Sequence, residues 1–274
     1  MKRVLRKFIN ILNLLSAISI FLNPKKLRLL KSIKNSSRVV LENKILDNSF
    51  FYEPIRNSYE DLIGESCLKK MKDNDCYSLN LLERKDKKSL VFIDIGAHIG
   101  IFARVIKNKF PDAEIHCIEP DKDNFRLLSL NNQILENTFS YNYGIYKEDS
   151  EQTLCVSNLY SWRSTLKTNK NYFRKELIDK DKFNYDQYQI KCLSMDTFIK
   201  INSLKEIDFI GIDVPGEITS SVVKGAMPYL KKTNANLSIY IYPSEMEQVT
   251  KMLNQCQYKL VKNIFEFHTF IKVK

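Results

Sequence analysis

The chain has 274 residues, of which 44% are hydrophobic, 27% charged and 11% aromatic, which rules out a disordered tail and provides for one large domain or one domain with an appendage. Only 7 glycines and 7 prolines exclude a collagen-like, linker-rich or low-complexity chain. Lys and Arg number 43 against 32 Asp and Glu, and the resulting net charge of +11 favours anionic surroundings (nucleic acid, acidic headgroups or acidic glycans) without choosing among them.

At the amino terminus Lys2, Arg3, Arg6 and Lys7 precede a stretch, Phe8 to Leu22, that is apolar except for Asn10, Asn13, Ser16 and Ser19. It runs into Asn23-Pro24-Lys25-Lys26 with no small-x-small cleavage site, and it falls short of the roughly 20 apolar residues that span a bilayer. Leu5, Phe8, Ile9, Leu12, Leu15 and Leu22 recur at helical spacing, with Arg6, Asn10 and Asn13 toward another face, as in an amphipathic helix. Two resting places suit such a helix. One is a membrane interface, where Lys25, Lys26, Arg28, Lys31 and Lys34 add attraction for phosphates and residues 1–34 form a peripheral contact at the inner face. The other is the main domain or a second subunit, which makes the chain a homo-oligomer. Residues 1–88 are therefore read as an N-terminal helical extension and lead-in, with helix-like and loop-like texture from Ser36 to Lys88.

From residue 89 to 274 the texture is that of a single α/β domain. Short apolar runs at Leu90–Ile93, Ala113–Ile118, Phe139–Tyr143, Ile207–Ile212, Leu237–Tyr242 and Phe265–Val273 alternate with helical patterns at Ile101–Lys109, Asp123–Leu135, Thr219–Lys231 and Glu245–Gln255. That alternation predicts a doubly wound, mostly parallel sheet. Residues 146–193 interrupt it with two strand-like pieces, Gln152–Ser157 and Gln189–Leu193, and are read as an insertion over the rim of the sheet. Its side chains Tyr160, Trp162, Arg163, Tyr172, Phe173, Arg174, Tyr185 and Tyr188 suit either substrate contact or a satellite packing cluster.

The six cysteines, Cys67, Cys76, Cys117, Cys155, Cys192 and Cys256, lie far apart with no C-x-x-C pair, as reduced thiols in a cytoplasmic protein do. His98, His116 and His268 do not cluster with them, so no Cys/His metal site is expected.

The richest stretch is Phe92-Ile93-Asp94-Ile95-Gly96-Ala97-His98-Ile99-Gly100-Ile101-Phe102, a strand entering a glycine turn and then a helix. Gly96 and Gly100 permit a sharp turn and close approach of a ligand, and the helix start offers unpaired N–H groups. The spacing differs from the Gly-x-Gly-x-x-Gly of dinucleotide folds. Glu119 follows Gly96 by 23 residues at the tip of the next strand, where an acidic side chain is placed to hydrogen-bond ribose hydroxyls. Together these features predict a nucleoside site.

On these residues the chain resembles the FkbM-type S-adenosylmethionine-dependent methyltransferases of the class I methyltransferase fold, with a Rossmann-like, mostly parallel seven-stranded sheet. The resemblance runs from about Leu90 to Phe265 and includes Glu119-Pro120, Phe125, Leu128, Asn131, Met195-Asp196-Thr197-Phe198, Asp208-Phe209-Ile210-Gly211-Ile212-Asp213-Val214-Pro215-Gly216-Glu217, Lys224-Gly225-Ala226 and Leu230. It implies that Asp94, Gly96, Ala97, His98 and Gly100 surround the methionine end of S-adenosyl-L-methionine, that Glu119 binds the ribose, that Tyr143 and Gly144 border the adenine, and that Asp213 faces the transferred methyl with Glu217 as a second carboxylate. The chain departs from the family pattern where Gly211 replaces a lysine, Pro215 a glutamate and Tyr240 a glutamate of the later strand. The resemblance implies attack of a substrate hydroxyl on the methyl carbon, which calls for a general base such as Asp213 or a bound divalent cation. The expected acceptor is a glycan, a lipid-linked saccharide or another small metabolite. Two further readings are an impaired nucleoside-binding scaffold, from the departures, and RNA methylation, from the positive charge; the spread of basic residues along the chain argues against nucleic acid.

Overall fold

The computed structural model describes residues 27–29, 41–45, 48–52, 77–82, 89–157, 164–167, 185–215, 218–264 and 266–273. The amphipathic helix expected before residue 23 lies outside them. Where the lead-in is described it contains no α-helix: β1 (Leu27–Leu29), β2 (Leu41–Ile45) and β3 (Asn48–Tyr52) form an antiparallel sheet in that order. Ile45 pairs with Asn48 across two intervening residues, and the Phe50-Phe51-Tyr52 run carries the aromatic residues that favour extended backbone. A short 3-10 turn at Leu79–Leu82 then buries Leu79 and Leu82 against the main domain. Among the described residues no helix is long and apolar enough to cross a membrane.

The main sheet contains β4 (Val91–Ile95), β5 (Glu114–Ile118), β6 (Thr138–Tyr141), β11 (Phe209–Ile212), β12 (Asn236–Tyr240), β13 (Tyr258–Ile264) and β14 (Phe267–Lys272). Its order is β13-β14-β12-β11-β4-β5-β6, with β14 antiparallel to both its neighbours and the other pairs parallel. This is the class I methyltransferase arrangement: the chain winds outward from β4 to β6, returns to the other side of β4, and slots its last strand in reversed. The switch of direction lies between β4 and β11, and their carboxyl ends open the crevice where ligands of such sheets bind.

Helices cover the sheet: α1 (Ile101–Lys109), α2 (Lys122–Asn132), α3 (Met195–Ile201), α4 (Thr219–Leu230) and α5 (Met246–Gln255). The alternation of strand side chains sorts the core into two clusters. Ile93, Ile95, Ile210, Ile212 and Ile239 join Val222, Ala226, Val249 and Leu253 of α4 and α5, while Phe92, Ile115, Cys117 and Phe209 join Ala103 and Ile106 of α1. Near-complete burial of both faces explains why these strands read as apolar runs.

The insertion forms its own four-stranded sheet in the order β7-β10-β8-β9, from β7 (Gly144–Ile145), β8 (Ser150–Ser157), β9 (Thr165–Leu166) and β10 (Tyr185–Leu193). β8 and β10 pair antiparallel along their length, and β7 joins β10 in parallel through Cys192 opposite Gly144. The described strands thus extend further than the two strand-like pieces expected.

Candidate active site

The turn after β4 is set by backbone conformation. Gly96, His98 and Gly100 have φ of +87°, +52° and +94°, so three alternate residues sit in the left-handed region. The glycines adopt it without strain, whereas His98 carries a conformation unfavourable to an L residue. The N–H groups of Gly96 and Ala97 both donate to the Ile118 carbonyl at 3.0 Å, locking the turn to the end of β5. A Cβ on Gly96 would lie 2.0 Å from the carbonyl oxygen of Asp213, so only glycine lets the segment after β11 lie flush on this turn. Gly100 serves packing: a Cβ there would meet Asn132 Oδ1 and Leu128 Cδ1 at 3.1 Å, where α1 approaches α2. Asn131 donates through Nδ2 to the Ile99 carbonyl at 2.7 Å and ties the same two helices to the turn.

Glu119 is buried at the tip of β5, with Oε2 accepting from the His98 N–H and Oε1 from the Asp121 N–H, each at 2.9 Å, and the Asn124 side chain as a further donor. Burial, reinforced by the neighbouring Asp121 charge, outweighs these donors and pushes its carboxyl up to about 8. Asp121 caps α2 by accepting from the Asp123 N–H at 2.9 Å, and its other oxygen accepts from Ser164 Oγ at 2.8 Å, tying the insertion to the rim of the site.

A cavity of about 330 Å³ opens at the carboxyl ends of β4, β5 and β11. Of the residues proposed from sequence, Asp94, Gly96, Ala97, His98, Glu119, Gly144 and Asp213 line it. Gly100 and Tyr143 do not. Tyr143 instead packs among Tyr141 and Phe198, with ring centroids 5.7 and 6.1 Å away. Glu217 lies outside the described residues, as do Tyr160, Trp162, Arg163, Tyr172, Phe173 and Arg174. Tyr188 is described but engages the rim, its hydroxyl accepting from the Lys122 N–H at 2.9 Å.

Asp94, Gly211 and Cys117 are cross-strand neighbours on one face of the sheet. The family lysine would therefore rise beside Asp94. In this chain Gly211 leaves that place to Phe102, whose ring would touch a Cβ there at 3.2 Å. Asp94 is buried, its Oδ2 has no hydrogen-bond partner among the described residues, and burial followed by the charge of Asp213 holds its carboxyl well above the usual range. Burial raises Asp213 to about 6. Of this pair burial favours the proton more strongly on Asp94, and Asp213, at about 6, carries the charge at neutral pH.

Two walls of the cavity lie beyond the site residues proposed from sequence. Beyond Pro120 the insertion contributes Leu154, Leu166, Ile190 and Cys192, an apolar slot beside Glu119. On the other side stand Tyr77, Phe102, Tyr240, Tyr242 and Phe267. Tyr77 comes from the lead-in, whose aperiodic sequence gave no sign that it reaches the site.

S-adenosylmethionine fits this arrangement: its vicinal hydroxyls and positive charge meet three lining carboxyl groups, of which Asp213 is ionised at neutral pH and Asp94 has an orphan oxygen, and its base suits the apolar slot. Among the described residues no group of three or more His, Cys, Asp and Glu is arranged to hold a metal ion.

The raised Glu119 carboxyl carries a stability prediction. The folded state holds that proton to about pH 8 while the unfolded chain releases it near its ordinary 4.5, so the ligand-free protein loses stability as pH rises between those values, by up to about 1.4 kcal/mol per unit. Thermal melts of the ligand-free protein from pH 5.5 to 8.5 should show this fall, and Glu119→Gln should flatten it; equal slopes would refute the assignment.

The methyltransferase FkbM domain profile matches residues 94–260 of the chain. Comparison with curated proteins returns no match. Among solved structures, the chain is similar to M. jannaschii TYW2 in complex with AdoMet (10% identity, TM-score 0.45, covering 91% of this chain and 95% of that one). It is also similar to P. horikoshii TYW2 in complex with MeSAdo (11% identity, TM-score 0.45, 94% and 80% covered) and to the Methanococcus jannaschii fibrillarin pre-rRNA processing protein (10% identity, TM-score 0.39, 90% and 97% covered).

Proposed function

The chain belongs to the FkbM methyltransferase family and is a methyltransferase that uses S-adenosyl-L-methionine, and on that premise we propose that it methylates a hydroxyl oxygen of a glycan, a lipid-linked saccharide or another small metabolite. The observation that carries the oxygen acceptor is Asp213, a carboxylate at the carboxyl end of β11 that opens on the same cavity as Glu119. When bound, the donor supplies an electrophilic methyl carbon on a sulfonium. The protein's own part is placement and proton removal. Glu119 accepts from the ribose hydroxyls, and the turn at Gly96–His98 holds the methionine end. The apolar slot excludes water around the base. Asp213, with its N–H fixed to the Ile95 carbonyl at 2.9 Å and its carboxyl at about 6, is ionised at neutral pH yet basic enough to take the hydroxyl proton as the oxygen attacks.

The test is incubation of the protein and methyl-labelled donor with cell-envelope and metabolite extracts. Label should enter material in alkali-stable, ether-type linkage. Label confined to nitrogen or to alkali-labile ester would overturn the oxygen assignment.

One observation favours a second reading, a nucleoside-binding protein without turnover: the loss of charge at Gly211, Pro215 and Tyr240. It predicts tight donor binding with no labelled product in any extract.

A further inference from the structure

The charge lost from the acceptor side is replaced by a continuous aromatic surface. Tyr77 meets Phe102 at 4.2 Å and Phe267 at 5.1 Å between ring centroids. Phe267 meets Tyr240 at 5.4 Å, and Tyr240 meets Tyr242 at 5.2 Å. All five rings line the cavity that Asp213 and Gly96 share. Most pairs are tilted or edge-on, the geometry in which rings attract one another, so they form a wall, not a set of parallel plates. It is also anchored. Ser78, buried and held at φ +53°, joins its hydroxyl to that of Thr269 on β14 at 2.7 Å and fixes the neighbouring Tyr77 ring over the sheet. Tyr77 and Phe267 both fall outside the 94–260 span that the family profile matches.

Building on the methyltransferase reading, we propose that the wall of Tyr77, Phe102, Phe267, Tyr240 and Tyr242 is the acceptor subsite and that it takes an uncharged, ring-bearing hydroxyl compound. The apolar ring faces match the face of a sugar or other ring, and the phenol groups offer hydrogen bonds at its edge. Charge complementarity sets the rest. The described lining residues include no lysine or arginine, and Asp213, raised only to about 6, is ionised near neutral pH and repels an anionic acceptor, while a cationic acceptor meets the positive charge that the methyl donor brings.

Two probes of one scaffold decide the matter: p-nitrophenyl β-glucoside and its anionic glucuronide counterpart. Each is titrated calorimetrically against the protein with and without S-adenosylhomocysteine, so that the wall is judged even if the nucleoside ligand fails to bind, a failure that would strike the methyltransferase reading instead. The neutral probe should bind at least about tenfold tighter than the anionic one, and Tyr77→Ala and Tyr240→Ala should each weaken it about tenfold. Affinity for S-adenosylhomocysteine should stay within about twofold in both variants, which also shows that they are folded, and Tyr240→Phe, which keeps the ring, should bind the neutral probe as the wild type does. Binding of the anionic probe as tight as the neutral one, binding of neither, or wild-type binding in both alanine variants would overturn the proposal.

Discussion

Replacing Asp213 by Asn should lower methyl transfer by about 10²- to 10⁴-fold while leaving affinity for S-adenosylhomocysteine nearly unchanged. The amide keeps the size of the side chain but has no basic oxygen to receive the hydroxyl proton, so the lost term belongs to the reaction and not to binding. The backbone contacts of residue 213, its N–H to the Ile95 carbonyl and its carbonyl against Gly96, do not involve the side chain and survive the change. In the wild type the rate should rise with pH through about 6 as the Asp213 carboxyl ionises, and the variant's residual rate should lose that rise. Label incorporation into the extract acceptor across pH 5 to 8 measures both. A variant as active as the wild type would remove Asp213 from the mechanism and return attention to Glu217 or a bound cation.

The second large effect belongs to Glu119. Glu119→Gln should weaken binding of S-adenosylmethionine and S-adenosylhomocysteine by about 10- to 10²-fold, because a net hydrogen bond is worth about 0.5–1.5 kcal/mol and a ribose diol makes two to this carboxyl. The reason is specific to the site. Both carboxylate oxygens already serve the His98 and Asp121 N–H groups, and the amide replaces one acceptor with a donor facing one of those groups. The ligand-free fold should tolerate this near pH 7, where a carboxyl raised to about 8 is already largely protonated and the neutral amide resembles it. Calorimetric affinity alongside a thermal melt separates the two. Equal loss of stability and binding would mean that Glu119 holds the turn together and contributes little to the ligand.

The parts of this account that were legible beforehand are those governed by periodicity and local turn chemistry. The strands around Asp94 and Glu119 are buried on both faces and therefore stand out as apolar runs, and α1 spans Ile101–Lys109 as its spacing predicts. Gly96 was identifiable because a strand entering a glycine turn restricts what the backbone does next. Other features depend on contacts between distant residues that leave no local mark. Tyr77 reaches the cavity through a single buried serine pairing with Thr269, 191 positions away. The displacement of a lysine position by Phe102 is visible only in the register that sets Gly211 beside Asp94. β13 was missed because its outer residues alternate weakly, Lys259, Leu260 and Val261 being exposed, and only pairing with β14 gives it form. Tyr143 looked like a pocket residue because it follows β6, yet the ring turns inward to Phe198 while the neighbouring Gly144 meets the cavity. The lead-in strands carry no helical stripe, and a segment without one has no face to bury as a helix.

The central claim is that the crevice between β4, β5 and β11 holds a methyl donor of the S-adenosyl class. Its most direct test is calorimetric titration of the full chain with S-adenosylmethionine and S-adenosylhomocysteine near pH 7.5. The account predicts one site per chain, micromolar or tighter, weakened in Glu119→Gln and retained in Asp213→Asn; absence of heat from either ligand with a folded wild-type protein would contradict it.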